Sequence, residues 1–344
     1  MKALITTVPF ASINDLPLEL LKASEIEYSI NPLNKKLNEN ELIELVSDVD
    51  IIIAGTEPIS QRVIDNAPNL KLISRVGIGL DSVDLLATEK RGIRVSYTPD
   101  APAPAVAELT MGLIFSLLRS IHVANSKLHQ GQWDRIFGKR LSEITLGIIG
   151  VGRIGGRVIR RTKPFGSPRL LVNDIDPSKQ SNMDFKLEWV SKQKIYEEAD
   201  IICIHLPLTR HTQNMITKKE LMSMKNDAAI INVSRGGIIN EKDLYEVLKS
   251  GHLIGAAIDV FENEPYSGKL TEIDRCILTS HMGSMSIDCR SQMEIEATEE
   301  VVRYCSNQEL INEVPLAEYE VQRDRHILTS VSYTHLTLPT IYSV

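Results

Sequence analysis

The feature that most constrains this chain is an apolar strand running straight into a glycine loop. Thr145-Leu-Gly-Ile-Ile149 leads into Gly150-Val-Gly152-Arg153-Ile154-Gly155, and Val158 with Ile159 then begins an amphipathic helix. A lone G-x-G-x-x-G is a common glycine-rich turn; between a strand and a helix it is the fingerprint of a dinucleotide site. Gly150 permits the tight turn, Gly152 lets a pyrophosphate approach the backbone, and Gly155 lets helix pack on strand. Arg153 and Ile154 lie where a helix N-terminus offers unpaired amides to phosphate oxygens. Downstream, the strand Leu170-Leu-Val-Asn173 ends at Asp174, 19 residues beyond Gly155. A carboxylate there binds the adenosine ribose hydroxyls and repels a 2′-phosphate, so the expected cofactor is NAD rather than NADP. Asp176 competes for that role, and the plain alternative for Asp174 is a turn residue before Pro177.

Composition narrows the remaining classes. A chain of 344 residues is long enough for two domains with separate cores. Its 43% hydrophobic and 24% charged residues are those of a soluble globular protein. A net charge of −7 without a basic block argues against a surface that tracks nucleic-acid phosphates. Cys203, Cys276, Cys289 and Cys305 are far apart with no C-x-x-C spacing, which points to reduced thiols and away from a metal site or disulfide framework. No stretch approaches the roughly 20 apolar residues of a membrane span, and the N-terminus lacks a signal-peptide pattern. The expected location is the cytoplasm, with no membrane and no nucleic acid as partners. Val331-Ser-Tyr-Thr-His-Leu-Thr-Leu-Pro-Thr340 reads as a sequencing adaptor translated in frame. Residues 331–344 are therefore expected to be a non-native tail, with the native C-terminus lost near Ser330.

Short apolar runs alternate with helical patterns along the rest of the chain. Strands are expected at Lys2–Thr7, Ile51–Ala54, Lys71–Arg75, Ile93–Ser96, Thr145–Gly150, Leu170–Asp174, Ile201–His205, Ala229–Val233 and Ile254–Asp259. Between the last two, Leu244, Val247 and Leu248 are spaced for a helix over Glu241–Ser250, with Asn240 to cap it and Gly251 to end it. Such alternation implies crossover units and parallel sheets covered on both faces.

Five further blocks carry a resemblance. They are Arg75-Val-Gly-Ile-Gly-Leu-Asp-Ser-Val-Asp84, Ala105-Val-Ala-Glu-Leu109, Asn232-Val-Ser-Arg-Gly-Gly237, Ala257-Ile-Asp-Val-Phe-Glu-Asn-Glu-Pro265 and Thr279-Ser-His-Met-Gly283. In this order, from about Ile51 to Tyr304, the chain resembles the D-isomer-specific 2-hydroxyacid dehydrogenases, the group that includes phosphoglycerate dehydrogenase. The resemblance implies an α/β fold of two doubly wound domains. A Rossmann NAD-binding domain, residues 99–282, would be inserted into a flavodoxin-like substrate domain made of residues 1–98 and 283–320.

By the same resemblance the catalytic trio falls on Arg235, Glu264 and His281, and each suits the chemistry. A 2-oxo acid presents a carboxylate beside a carbonyl, and the Arg235 fork can bind the first and polarise the second. His281 can give a proton to the carbonyl oxygen and take it back in the oxidative direction. Glu264 can hold the imidazole and favour its charged form. The plain alternatives are a surface or capping Arg235, a solvated Glu264 and a structural His281. Supporting positions are Asp259 for the nicotinamide carboxamide, and His205 and Pro207 of His205-Leu-Pro207-Leu-Thr209 for the cofactor-lining loop. Backbone amides at Val76, Gly77, Ile78 and Gly79 would bind the substrate carboxylate, with Arg75 beside them. Trp133 is open between covering the site, a subunit contact and core packing.

The implied reaction is hydride transfer between NAD and a small 2-hydroxy acid or 2-oxo acid. Phosphoglycerate leads as substrate, with glyoxylate, hydroxypyruvate or a larger D-2-hydroxy acid as alternatives. Two departures bear on that choice. Phosphoglycerate enzymes often carry an Arg just before the Ala/Gly-Thr of an early loop, where this chain reads Ile53-Ala54-Gly55-Thr56. They also often show an Asn where it has Pro102. The family dimerises through its cofactor domains, which implies a homodimer or larger homo-oligomer, with the apolar helix Ala105–Leu118 as a candidate surface. Some relatives on the scaffold are NAD(H)-sensing corepressors; retention of Arg235, Glu264 and His281 favours an enzyme.

Overall fold

Runs such as Ile51-Ile-Ile-Ala54 and Ala229-Ile-Ile-Asn232 are buried at every position, as strands covered by helices on both faces must be. The structure, a computed structural model, describes residues 1–176 and 186–323; the adaptor-like tail lies outside them. The chain divides into two units, Met1–Pro102 with the segment from Ser286 onward, and Ala103–Met285.

The first unit holds β1 (Lys2–Ile5), α1 (Leu16–Ala23), β2 (Glu27–Ile30), α2 (Glu39–Leu45), β3 (Ile51–Ala54), α3 (Gln61–Asp65), β4 (Leu72–Arg75), α4 (Leu85–Arg91) and β5 (Arg94–Ser96). Its five strands are all parallel in the order β2-β1-β3-β4-β5. That order reverses direction at β1/β3, the flavodoxin-like arrangement.

The second unit contains α5 (Pro102–Leu118), α6 (Ile121–His129), β6 (Thr145–Ile149), α7 (Gly155–Thr162), β7 (Arg169–Asn173), β8 (Leu187–Trp189), α8 (Lys192–Glu198), β9 (Ile201–Ile204), α9 (Lys218–Ser223), β10 (Ala229–Asn232), α10 (Glu241–Ser250), β11 (Gly255–Ile258) and β12 (Cys276–Leu278). The strand order is β12-β11-β10-β9-β6-β7-β8, all parallel. This is the doubly wound dinucleotide arrangement extended by one edge strand, and its switch point lies between β6 and β9. Strand side chains alternate between the two faces. Ile148, Val172, Cys203 and Ile231 pack with α5 and α7, while Ile149, Leu171, Ile202 and Ile230 pack with α8, α9 and α10. Each fully buried Ile or Leu contributes about 1.5–3 kcal/mol. Finally α11 (Ile287–Cys305) returns to the first unit, where Ser74 Oγ donates to the Ala297 carbonyl at 2.7 Å.

The two-domain parallel α/β architecture is as the sequence implies, and α10 has the expected cap. Asn240 accepts from the Asp243 amide at 3.0 Å, and Gly251 takes φ +86°. Three strands escape the sequence reading: β2, β8 and β12. All lie at sheet edges, are three or four residues long and bury little, so none needs an unbroken apolar run. One face of α5 is core, with Val106, Ala107, Met111, Leu113, Ile114 and Leu117 buried, while Glu108 and Gly112 are exposed and Leu109 and Phe115 half-buried. Core packing is not the use of Trp133, which is 81% exposed, and Phe137 nearby is fully exposed. Among the described residues no single helix is long and apolar enough to cross a membrane.

Candidate active site

The loop leaving β6 is shaped by two contacts that exclude side chains. Gly150 has φ +98°, and a Cβ there would stand 2.2 Å from the His205 carbonyl oxygen, across the switch point on β9. A Cβ on Gly155 would stand 2.0 Å from the Gly150 carbonyl oxygen. Gly152 differs, because a Cβ there would meet no atom within 4 Å. The fold does not require a glycine at that position, whereas close approach of a ligand does. Helix α7 begins with Ile154 at its N-cap and no capping side chain; the Gly156 and Arg157 amides turn back to the Gly152 and Ile154 carbonyls, which leaves the Ile154 and Gly155 amides as the donors for a phosphate. Arg153 is exposed beside them.

Asp174 lies against this loop. Its Oδ2 accepts from the Val151 amide at 2.6 Å, and its Oδ1 accepts from the Asp176 amide at 2.9 Å. Of the two acids, Asp174 therefore brings a carboxylate to the glycine turn, while Asp176 contributes an amide that orients it. The open face at Gly152, the uncapped helix start and this carboxylate together fit an adenine dinucleotide. Asp174→Ala is expected to weaken NADH and narrow its advantage over NADPH, measured as the ratio of dissociation constants. If Asp176→Ala narrows the ratio and Asp174→Ala does not, the assignment moves to Asp176.

His205 donates its amide to the Ile149 carbonyl at 2.8 Å, tying β9 to the end of β6. The residue as a whole is only partly buried, yet both ring nitrogens are enclosed without a hydrogen-bond partner among the described residues. Burial pushes the imidazole down to about 4, so it is a neutral wall of the loop at pH 7. Pro207 is exposed two residues on, its carbonyl accepting from Thr212 Oγ1 at 2.7 Å.

Arg235, Glu264 and His281 follow neighbouring strands of the same sheet, β10, β11 and β12. Beyond β10, Asn232 ties the turn together: its Nδ2 donates to the Arg235 carbonyl at 2.8 Å, and its Oδ1 accepts from the Ser234 amide and hydroxyl. Half-buried Arg235 donates through Nη1 to the Ser234 carbonyl at 2.7 Å. Beyond β11, Glu264 Oε1 accepts from the Phe261 amide at 3.1 Å, and Oε2 lies 2.8 Å from His281 Nδ1. The His281 side chain is 47% exposed, and Nε2 has no hydrogen-bond partner among the described residues.

His281 also takes φ +50°, a left-handed conformation costing of order 1–3 kcal/mol for a residue with a Cβ. Its surroundings hold it there. The His281 amide donates to the Asp259 carbonyl at 2.8 Å, and the Asp259 carboxylate accepts from Thr279 Oγ1, the Met282 amide and the Gly283 amide. Asp259, expected to meet a carboxamide, is 0% exposed, and the chain itself uses both oxygens. Oδ1 receives two donors and Oδ2 one, so only Oδ2 keeps an acceptor site for a ligand.

In the first unit the expected carboxylate cradle is partly used by the fold. The Val76 amide donates to the Ala54 carbonyl at 2.8 Å, and the Gly77 amide donates to Thr98 Oγ1 at 2.8 Å. Val76 and Gly77 are thus corrected as amide donors, because β4 and the Thr98 turn take them first. Ile78 and Gly79 remain as amides without a protein partner among the described residues. Arg75 is 6% exposed and donates back to the Val76 carbonyl, its guanidinium filling the space a Cβ on Gly77 would need. Sequence reasoning missed Glu57. It is 2% exposed, accepts from the Gly55 amide at 2.8 Å and takes a hydrogen bond from Thr6. Its signal was present as an acid two residues beyond Gly55, in the loop already noted for its missing cation.

A family model for the NAD binding domain of the D-isomer specific 2-hydroxyacid dehydrogenases matches residues 111–283. The chain is also 35% identical over 291 residues to a hydroxypyruvate reductase of Thermotoga maritima, covering 83% of this chain and 92% of that one. The chain belongs to the D-isomer specific 2-hydroxyacid dehydrogenase family. It is accordingly an oxidoreductase with NAD as cofactor. Another member, the D-3-phosphoglycerate dehydrogenase of Methanocaldococcus jannaschii, is 40% identical over 254 residues, which is 72% of this chain and 48% of that protein. Among solved structures, a glyoxylate reductase from Paecilomyes thermophila matches with a TM-score of 0.80 at 27% identity, over 92% of this chain and 99% of that one.

Proposed function

We propose that this dehydrogenase reduces a small unphosphorylated 2-oxo acid, glyoxylate to achiral glycolate or hydroxypyruvate to D-glycerate. The observation that carries the choice is Glu57. Where the resemblance to phosphoglycerate enzymes calls for a guanidinium, this chain has Ala54-Gly55-Thr56 followed by a buried carboxylate. Arg75, the other cation considered for a phosphate, is folded onto its own loop. A dianionic phosphate entering that loop would meet like charge, which costs several kcal/mol when desolvated. A hydrogen or a hydroxyl in its place incurs no such penalty.

When bound, NADH supplies the hydride. Arg235 binds the substrate carboxylate and draws electron density from the carbonyl. His281 delivers a proton from Nε2 to the carbonyl oxygen and retrieves it in the oxidative direction. Glu264 accepts from Nδ1–H, which fixes the ring so that Nε2 faces the reacting oxygen.

The test is a screen of 2-oxo acids followed by NADH loss. Glyoxylate or hydroxypyruvate is expected to exceed 3-phosphohydroxypyruvate by about tenfold or more in kcat/KM, since 1.4 kcal/mol already gives that factor. The phosphorylated acid ranking first would overturn the substrate assignment.

A further inference from the structure

We propose that Glu241 is a positioning residue for the Glu264–His281 pair, acting through the peptide that joins Phe261 to Glu262. The inference rests on the reading of that pair given above. Glu241 is the first residue of α10, on a different element from either partner. Its Oε1 accepts from the Glu262 amide at 2.7 Å. The preceding amide, that of Phe261, ends on Glu264 Oε1 at 3.1 Å. Two successive amides of the turn after β11 are therefore held by two carboxylates, one reaching in from the helix and one belonging to the acid–base pair.

The other side of the same peptide is fixed by close packing. A Cβ on Gly236 would stand 2.0 Å from both the carbonyl carbon and the carbonyl oxygen of Phe261, and 2.5 Å from the Glu262 nitrogen. The peptide is thus pressed against the residue that follows Arg235, with Glu241 holding it from the helix. Ring stacking of Phe261 on Tyr266, with centroids 4.1 Å apart at 18°, restrains the turn further. Burial pushes the Glu241 carboxyl up, and the charges of Glu262 and Glu264 add to that, opposed by the bond from the Glu262 amide.

Removing this hold lets the turn move, and Glu264 moves with it. Misplacement by about 1 Å is enough to cost on the order of 10²-fold in rate. Glu241→Ala is expected to lower kcat by about ten- to a hundredfold while the NADH dissociation constant changes less than about twofold. Glu241→Gln keeps an acceptor oxygen in place and is expected to restore kcat to within about threefold. If Glu241→Ala fails to fold, Glu241→Met keeps the stem and helix propensity while removing the acceptor.

The same measurements are made in a Glu264→Gln background. An effect passing through Glu264 shrinks there, whereas an unrelated structural effect adds in full. Full additivity, or a Gln variant as slow as Ala, would overturn the inference. So would an unchanged kcat in Glu241→Ala when Glu264→Gln alone is slow. If Glu264→Gln alone is as fast as wild type, the acid–base reading has failed and the positioning role goes with it.

Discussion

His281→Ala is expected to lose about 10²–10⁴-fold in kcat for every accepted 2-oxo acid, the range for deleting a positioned proton donor. The size follows from how little else could serve. Glu264 meets Nδ1 at 2.8 Å, so the ring stands between that carboxylate and whatever Nε2 faces. A carboxylate left behind by alanine is a poor acid near neutral pH and is still tethered to the Phe261 amide. NADH binding should survive, because the glycine loop, Asp174 and His205 are held by hydrogen bonds that do not involve residue 281. Relief of the left-handed backbone is not expected to matter for stability, since alanine at φ +50° is strained as well. Glu264→Gln should fall less, by about ten- to a hundredfold, because the amide oxygen still accepts from Nδ1–H but no longer offsets the imidazolium charge. Single-turnover reduction with pre-bound NADH measures both. Wild-type rates in His281→Ala would remove the histidine from the mechanism.

The second large effect separates two glycines of one loop. Gly152→Ala should leave the melting temperature within about a degree of wild type, because its Cβ enters open space and its φ is not left-handed. The same methyl stands where a pyrophosphate would approach, and overpacking there costs about 1–3 kcal/mol, or roughly five- to 150-fold in NADH affinity. Gly155→Ala should do the reverse in order of cause. Its Cβ would stand 2.0 Å from the Gly150 carbonyl oxygen, so the loop must shift, stability falls, and affinity falls as a consequence. Calorimetric melting alongside NADH titration distinguishes the two. A Gly152→Ala protein that binds NADH as wild type would mean that the open face is not the pyrophosphate site.

The readability of the chain followed how strongly each feature had to be written locally. Central strands buried on both faces demand continuous apolar runs, and Ile51–Ala54, Ile201–Ile204 and Ala229–Asn232 were legible for that reason. Edge strands carry no such demand: Glu27–Ile30 is mostly exposed and reads as loop. Site residues in ordered motifs could be named, because Arg235, Glu264 and His281 stand in recognisable blocks. Apart from the Glu264–His281 contact, what those residues are bonded to could not be named. The capture of the Val76 and Gly77 amides by Ala54 and Thr98 depends on a β3–β4 pairing and on a turn 21 residues away. Glu57 and Glu241 look like ordinary surface acids in one dimension. Only the fold brings the first to the Gly55 amide and the second, 21 residues away in sequence, to Glu262.

The latch between β10 and β11 has a consequence for how this enzyme can change. The Asp259 amide donates to the Asn232 carbonyl at 3.0 Å, the Asn232 side chain holds the Arg235 carbonyl, and the Asp259 carboxylate holds the turn that carries His281. In the proposed mechanism, proton transfer and carboxylate recognition therefore hang from a single rung of one sheet, wholly inside Ala103–Met285. The Gly55–Glu57 loop, on which the proposed choice of acid rests, belongs to the other unit and shares none of those bonds. On that proposal, a lineage can rewrite its diet in one half of the molecule while the reaction itself stays untouched in the other.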